Sequence, residues 1–429
     1  MAGNTGMTTR PSRSLMRPRA RMVLLVATVT LCSWGRSFAI QTEQPLELSR
    51  AVRPWEFISA LGTRAAIFGH EQGTVEAWVY PLKILNDFHL LFHVEGVVIP
   101  ADSLARTVIV RPESTTIVYA SDGFSVRETL FVPVHESGAV IALEVQTHDP
   151  LQVEAVFHRD FQLEWPGHIQ DSMAEWDSLL HGFHFTDDTG KFEAVIGSPT
   201  AAKGIEEYTT NYFSSSEDSF LLHPINKGKE TQVIAIAASF TGRLELSRVY
   251  QHLINAYPSL LRDSSSYYID YLAHTTNLHL PDEQLESAYN WAKVNMLQGV
   301  VHNPFLGEGL VAGFDTSQDD YRPGFAWFFG RDAEWTSFAL NAVGDTSHVR
   351  SALDFLAKYQ RSDGKIAHEI SQSANFLDWF KVPFAYASAD ATPLFIIAAD
   401  DYVTWSGDVD FAREKWESLW KAYEFLRST

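Results

Sequence analysis

The sequence predicts a multidomain β + α protein: an antiparallel β-sandwich followed by a helical domain. Three observations predict it. From about Arg64 to Phe240, short runs rich in β-branched and aromatic residues alternate with turn residues. From Leu244 the apolar residues recur at the three-and-four spacing of a helix. The chain has 429 residues, 45% of them apolar and 20% charged, which suits a folded protein large enough for two domains.

The N-terminus reads as a secretory signal. Arg10, Arg13, Arg17, Arg19 and Arg21 form a basic region, and the apolar stretch Met22 to Trp34 follows. That stretch is too short to span a bilayer comfortably. Ser37-Phe38-Ala39 places small residues at the −3 and −1 positions of a cleavage site after Ala39. The alternative is an uncleaved anchor. The only cysteine, Cys32, lies inside this segment, so the mature chain would have neither a disulfide nor a thiolate metal site. A periplasmic or secreted location suits that. The net charge is −20, and residues 1–39 contain arginines but no acids, so the mature body would be more acidic still. Such a body argues against nucleic acid and anionic membranes as partners, and is compatible with neutral sugars.

The β region contains the runs Thr115–Tyr119, Ala139–Val145, Gln152–Arg159, Phe192–Gly197 and Thr231–Phe240. Turn signals separate them at Ser121-Asp122-Gly123, Glu136-Ser137-Gly138, His148-Asp149-Pro150 and Asp187-Asp188-Thr189-Gly190. Many short strands at this spacing indicate a sandwich. There is no internal repeat. A connecting segment runs from Leu244 to about Leu278, and the expected domain limits are 40–243, 244–280 and 281–429.

Five helices are expected after Pro281. Asp282 is the expected N-cap of the first, whose apolar face carries Leu285, Ala288, Tyr289, Ala292 and Met296. The second covers Arg331 to Val343. The third is marked by Val349, Leu353, Leu356 and Tyr359, the fourth runs from Asp390 to Trp405, and the fifth from Asp410 to Leu426. The loops before the second and fourth helices are long and aromatic, which is where a helical barrel would carry a site.

Two of those loops carry the chemistry. Trp327-Phe328-Phe329-Gly330-Arg331-Asp332 and Asp390-Ala391-Thr392-Pro393-Leu394-Phe395 each set a carboxylate beside aromatic side chains at a helix start. Carbohydrate chemistry needs that pairing: ring faces to stack on sugars, and acids to bind hydroxyls and protonate a glycosidic oxygen. Asp332 could instead complement the helix dipole, and Asp390 could be an ordinary N-cap. A helix N-terminus also lowers a carboxyl pKa, whereas burial beside Phe384, Tyr386 and Phe395 would raise it.

His368-Glu369 adds a second candidate acid, a hydroxyl-binding group or an ion pair. No second histidine stands at helical spacing, so no metal is expected. Asp319-Asp320 and the runs Ser214–Ser216 and Ser264–Ser266 read as loops. There is no P-loop, no dinucleotide fingerprint and no G-x-S-x-G, and no cofactor is expected.

Gly364-Lys365-Ile366-Ala367-His368-Glu369-Ile370-Ser371 and Tyr386-Ala387-Ser388-Ala389-Asp390-Ala391-Thr392-Pro393-Leu394-Phe395 resemble the bacterial amylo-alpha-1,6-glucosidase, or glycogen debranching enzyme-like, family. Gly69-His70-Glu71 and Trp78-Val79-Tyr80-Pro81-Leu82-Lys83 resemble the start of its N-terminal domain. The resemblance implies a sandwich followed by an (α/α)6 toroid of six helical hairpins, and an inverting glycoside hydrolase acting on α-glucan or glycogen-like oligosaccharides. It implies Asp390 as general acid and Arg331 and Asp332 as sugar ligands. Trp327, Phe329, His368, Glu369 and Tyr386 are the further expected substrate contacts.

The general base of that family comes from later helices. Leu426-Arg427-Ser428-Thr429 interrupts a helix without a stop signal, so the expectation is a toroid truncated to about its first half, with an exposed apolar seam and no general base. The alternatives are another six-hairpin enzyme (a trehalase, an oligosaccharide glucosidase or a rhamnosidase), a carbohydrate-binding protein without catalysis, or one part of a two-chain assembly.

Overall fold

A computed structural model describes residues 46–204, 217–317 and 322–429. The expected signal, Cys32, the Ser214–Ser216 run and Asp319-Asp320 lie outside them.

The N-terminal strands are β1 (Leu48–Ala51), β2 (Phe57–Leu61), β3 (Ala65–His70), β4 (Val75–Val79), β5 (Leu82–Val94), β6 (Val97–Pro100), β7 (Ala105–Arg111), β8 (Ser114–Ala120) and β9 (Phe124–Phe131). They continue with β10 (Gly138–Thr147), β11 (Leu151–Leu163), β12 (Ser172–Asp177), β13 (Gly182–Asp187), β14 (Glu193–Gly197), β15 (Ala202–Lys203), β16 (Glu217–Leu221) and β17 (Gly228–Ser239). One antiparallel sheet has the order β1-β7-β8-β9-β10-β17-β14-β13-β12. The other has the order β15-β16-β11-β5-β4-β3-β2, with β6 on β5.

Side-chain alternation assigns the faces. On β17, Ile234, Ile236 and Ala238 enter the core between the sheets, while Ala235 and Ala237 face outward. That outward face is also apolar because a helix covers it, which is why the strand reads as a near-continuous apolar run.

The covering helix is α1 (Arg243–His274), with 32 residues and a length of about 48 Å. Leu246, Val249, Tyr250 and Leu253 seat it on Val140, Val195, Ala235 and Ala237. It passes straight through Ser264–Ser266, a run expected to form a loop. Ser264 is buried and its Oγ accepts from the Val134 amide at 3.4 Å, so packing on the sandwich overrides weak helix propensity.

The later helices are α2 (Glu283–Gln298), α3 (Gly330–Val343), α4 (Thr346–Lys358), α5 (Ala391–Ser406), α6 (Val409–Glu414) and α7 (Trp416–Ser428). Two-residue strands β20 (Phe328–Phe329) and β21 (Glu369–Ile370) lie between them, after the hairpin of β18 (Val300–Asn303) and β19 (Gly307–Leu310). Asp282 caps α2 as expected, accepting from the amides of Gln284 and Leu285.

The expected face of α2 is wrong, however. Leu285 is exposed, and the buried side chains are Lys293, Val294 and Leu297. Lys293 Nζ reaches Thr275 Oγ1 at 3.1 Å and the Thr276 carbonyl at 3.0 Å, so a buried ammonium ties α2 to the end of α1. The expected fifth helix is two, α6 and α7, meeting at Lys415.

Ala66, Phe68, Trp78 and Tyr80 of the sandwich share one hydrophobic cluster with Val294, Trp327, Ile366 and Phe395. The strands and helices of residues 46–429 therefore belong to one compact unit. On α7, Trp416, Trp420 and Tyr423 are exposed, as is Ile397 on α5.

Candidate functional site

Two helix N-termini converge. Gly330 opens α3, and its amide donates to the His368 carbonyl at 3.0 Å. A Cβ there would stand 2.4 Å from the Ala367 carbonyl oxygen and 3.0 Å from Ala391 Cβ. Only glycine lets α3 start this close to α5. The next residue, Arg331, then lies 3.4 Å from Asp332 Oδ2 and 3.7 Å from Asp390 Oδ2. All three side chains are between a third and a half exposed.

Neither acid caps its helix. The N-cap of α3 is Phe329, and Asp390, at the N-cap position of α5, makes no cap bond with its side chain. Ser388 does that work: its Oγ accepts from the Ala391 amide at 3.1 Å and donates to Asp390 Oδ1. The Asp390 carboxylate is thereby left for other partners. The Ser388 hydroxyl, helped by the Arg331 charge and nearby amides, holds it below the usual carboxylate range despite some burial. Of the two opposing effects foreseen from sequence, the lowering one prevails.

Glu334 behaves oppositely. It lies one helical turn from Arg331 on the side of α3 that packs on α5, fully buried, and neither carboxyl oxygen has a hydrogen-bond partner among the described residues. Burial above all, then the charges of Asp390 and Asp332, push its pKa up to about 10. It is a neutral acid set beneath two carboxylates. Sequence reasoning missed it, although Arg331, Glu334, Ser337 and Asn341 recur at helical spacing and mark a polar stripe.

The pairing of β20 with β21 sets Phe329 opposite Glu369. Burial raises the Glu369 pKa, against the opposing charges of His368 and Arg322. His368 Nε2 is 3.9 Å from Glu369 Oε2, and its ring meets Phe329 edge-on. The structure thus groups Arg331, Asp332 and Asp390, and brings His368 and Glu369 beside them through Phe329.

The expected aromatic wall is different. Trp327 is 1% exposed, and Phe329 and Tyr386 are 7% exposed, so none offers a free ring face. Tyr386 donates its hydroxyl to the Tyr359 carbonyl at 2.8 Å, a packing tie rather than an open contact. Among the exposed rings, Phe325 meets Phe329, Phe384 meets Trp379, and Trp165, contributed by the sandwich, stacks on Trp327. The Arg322 guanidinium lies 4.8 Å from the Trp327 ring centre. Buried Glu76 accepts from the Ser317 amide at 2.9 Å and hydroxyl at 2.7 Å.

Two hollows, of about 350 and 370 Å³, lie away from the acids, one beside Phe57 and Phe314 and the other between α5 and α7.

No family model matches the chain, and no curated protein matches it in sequence. Solved structures do match it in fold. A bacterial glucoamylase complexed with acarbose superposes with a TM-score of 0.58 at 11% identity, over 89% of this chain and 59% of that one. A protein described as a kojibiose phosphorylase from the human microbiome does so with a TM-score of 0.57 at 9% identity, over 89% and 60%. The chain folds like these two proteins and spans about three fifths of their length.

Proposed function

We propose that this chain belongs to a carbohydrate-active enzyme, a glycoside hydrolase of the amylo-alpha-1,6-glucosidase-like type acting on α-glucan or related oligosaccharides by inversion. The observation that carries the reading is the convergence of Arg331, Asp332 and Asp390 at two helix N-termini, with Glu369 brought beside them by the β20–β21 pair. Arg331 and Asp332 would bind adjacent sugar hydroxyls, the guanidinium donating and the carboxylate accepting. Asp390 would protonate the leaving glycosidic oxygen while a base takes a proton from the water attacking the anomeric carbon. The glucoamylase of similar fold holds acarbose, which supports a saccharide ligand. The N-terminal 39 residues are proposed as a secretory signal.

One observation favours a second assignment within the same reaction. Asp390 lies below the ordinary carboxylate range and Glu369 above it. Environments that push two carboxyls apart assign the higher one as acid and the lower as base. In that version Glu369 protonates the leaving oxygen, and Asp390 activates water or binds a hydroxyl.

The test is sugar release from α-glucans of defined linkage by the natural protein, by Asp390→Asn and by Glu369→Gln. Each variant is also assayed on a glycoside whose nitrophenolate leaving group needs no protonation. The variant lacking the acid loses turnover on glucan and keeps it on the activated glycoside, whereas loss of a base abolishes both. Full glucan turnover by both variants would sink the assignment of either carboxyl.

A further inference from the structure

We propose that the outward face of Trp165 binds a sugar ring, so that the β-sandwich supplies a substrate subsite beyond the acid cluster. This rests on the glucan reading above. Trp165 follows β11, and its ring lies on Trp327 with 5.4 Å between centroids and 3° between planes. Trp327 in turn stacks on Phe329 at 6.2 Å and 21°, and Phe329 directly precedes Gly330 and Arg331. The three rings form a row that ends at the acid cluster. Trp327 and Phe329 are buried within it, but Trp165 is 46% exposed. Only Trp165, the outer member of the row, keeps a broad apolar surface in water.

The indole is also held in place by more than apolar contact. The Ser371 hydroxyl donates to the Trp165 carbonyl at 3.0 Å, and the Gly167 amide donates to Ser373 Oγ at 3.0 Å. Both serines are fully buried in the segment that follows Glu369. A Cβ on Gly167 would stand 2.7 Å from Ser373 Cβ, so glycine is what lets the sandwich loop lie against this turn.

A large aromatic fixed by buried hydrogen bonds, with one face stacked and much of its surface open, is preorganised for a flat, weakly polar partner. The C–H face of a pyranose is such a partner. Its hydroxyls can stay in water at the ring edges while water leaves the indole. A ring seated here would belong to the same oligosaccharide as the one at Arg331 and Asp332, and the subsite would select for chain length.

The experiment measures dissociation constants of the full chain for maltose, maltotriose, maltopentaose and maltoheptaose by titration calorimetry. Affinity should rise with length. Trp165→Ala should weaken binding of the longer sugars about three- to tenfold and leave maltose unchanged. Trp165→Phe, which keeps a ring on Trp327, should recover part of the loss and guards against a variant that simply unfolds. Unchanged affinity at every length in Trp165→Ala, or an equal loss at every length including maltose, overturns the subsite and leaves the glucan reading intact. No binding of any of these sugars by the unmodified chain overturns the glucan reading and the subsite with it.

Discussion

Replacing Glu334 with glutamine should stabilise the protein, and increasingly so as pH rises. The ordinary value for this carboxyl is 4.5, and burial lifts it to about 10 in the folded chain. Between those values the folded state keeps a proton that the unfolded state has released, so the unfolded state binds fewer protons. Stability then falls as pH rises, by about 1.4 kcal/mol per unit from this group alone. At pH 7 the accumulated penalty is about 3 kcal/mol, and at pH 5 it is under about 1 kcal/mol. Glutamine has nearly the same shape and no charge to release, so the variant escapes the penalty. The assay is urea unfolding of both proteins at pH 5, 6, 7 and 8, followed by tryptophan fluorescence. The difference in stability should be under about 1 kcal/mol at pH 5 and approach about 3 kcal/mol at pH 7. A difference that stays constant across this range would mean that Glu334 ionises in the folded state, and would refute the argument from its unpartnered burial.

Ser388→Ala removes the acceptor for the Ala391 amide and the donor to Asp390 together. It should cost about 1 kcal/mol of stability as a lost cap, and the Asp390 carboxyl should titrate at higher pH, as read by carboxyl NMR. Gly167→Ala should destabilise by about 1–3 kcal/mol in urea unfolding, because Ser373 and Leu163 stand within 2.8 Å of the added methyl. Expression in a secreting bacterial host should give a mature chain beginning at Ile40, read by intact-mass spectrometry; a retained residue 1 would refute the cleavage site.

Much of this protein is decided by local pattern. Period-two runs and turn residues specified an antiparallel sandwich, and the change to helical spacing at Leu244 marked where α1 begins. The same local signals put Arg331 and Asp332 at one helix start and Asp390 at another, because glycine before a helix and small polar residues around its first turn are short-range devices. The α2 face was misread for the opposite reason: Leu285, Ala288 and Ala292 form a regular stripe, yet the tertiary contacts fall on Lys293, Val294 and Leu297.

What only the tertiary structure decided is burial and proximity across long stretches of chain. Trp327 and Tyr386 looked like open walls and are enclosed, while Trp165, more than 150 residues upstream, stands exposed beside Trp327. Asp390 and Glu334 are both carboxyls in helical sequence, yet one is held low by a hydroxyl two residues away and the other high by the packing of α3 on α5. Sequence spacing determines which side chains share a helix face. The ionisation of an acid and the openness of an aromatic ring depend on how much water the rest of the fold removes, and the residues that remove it are brought together only when the chain packs.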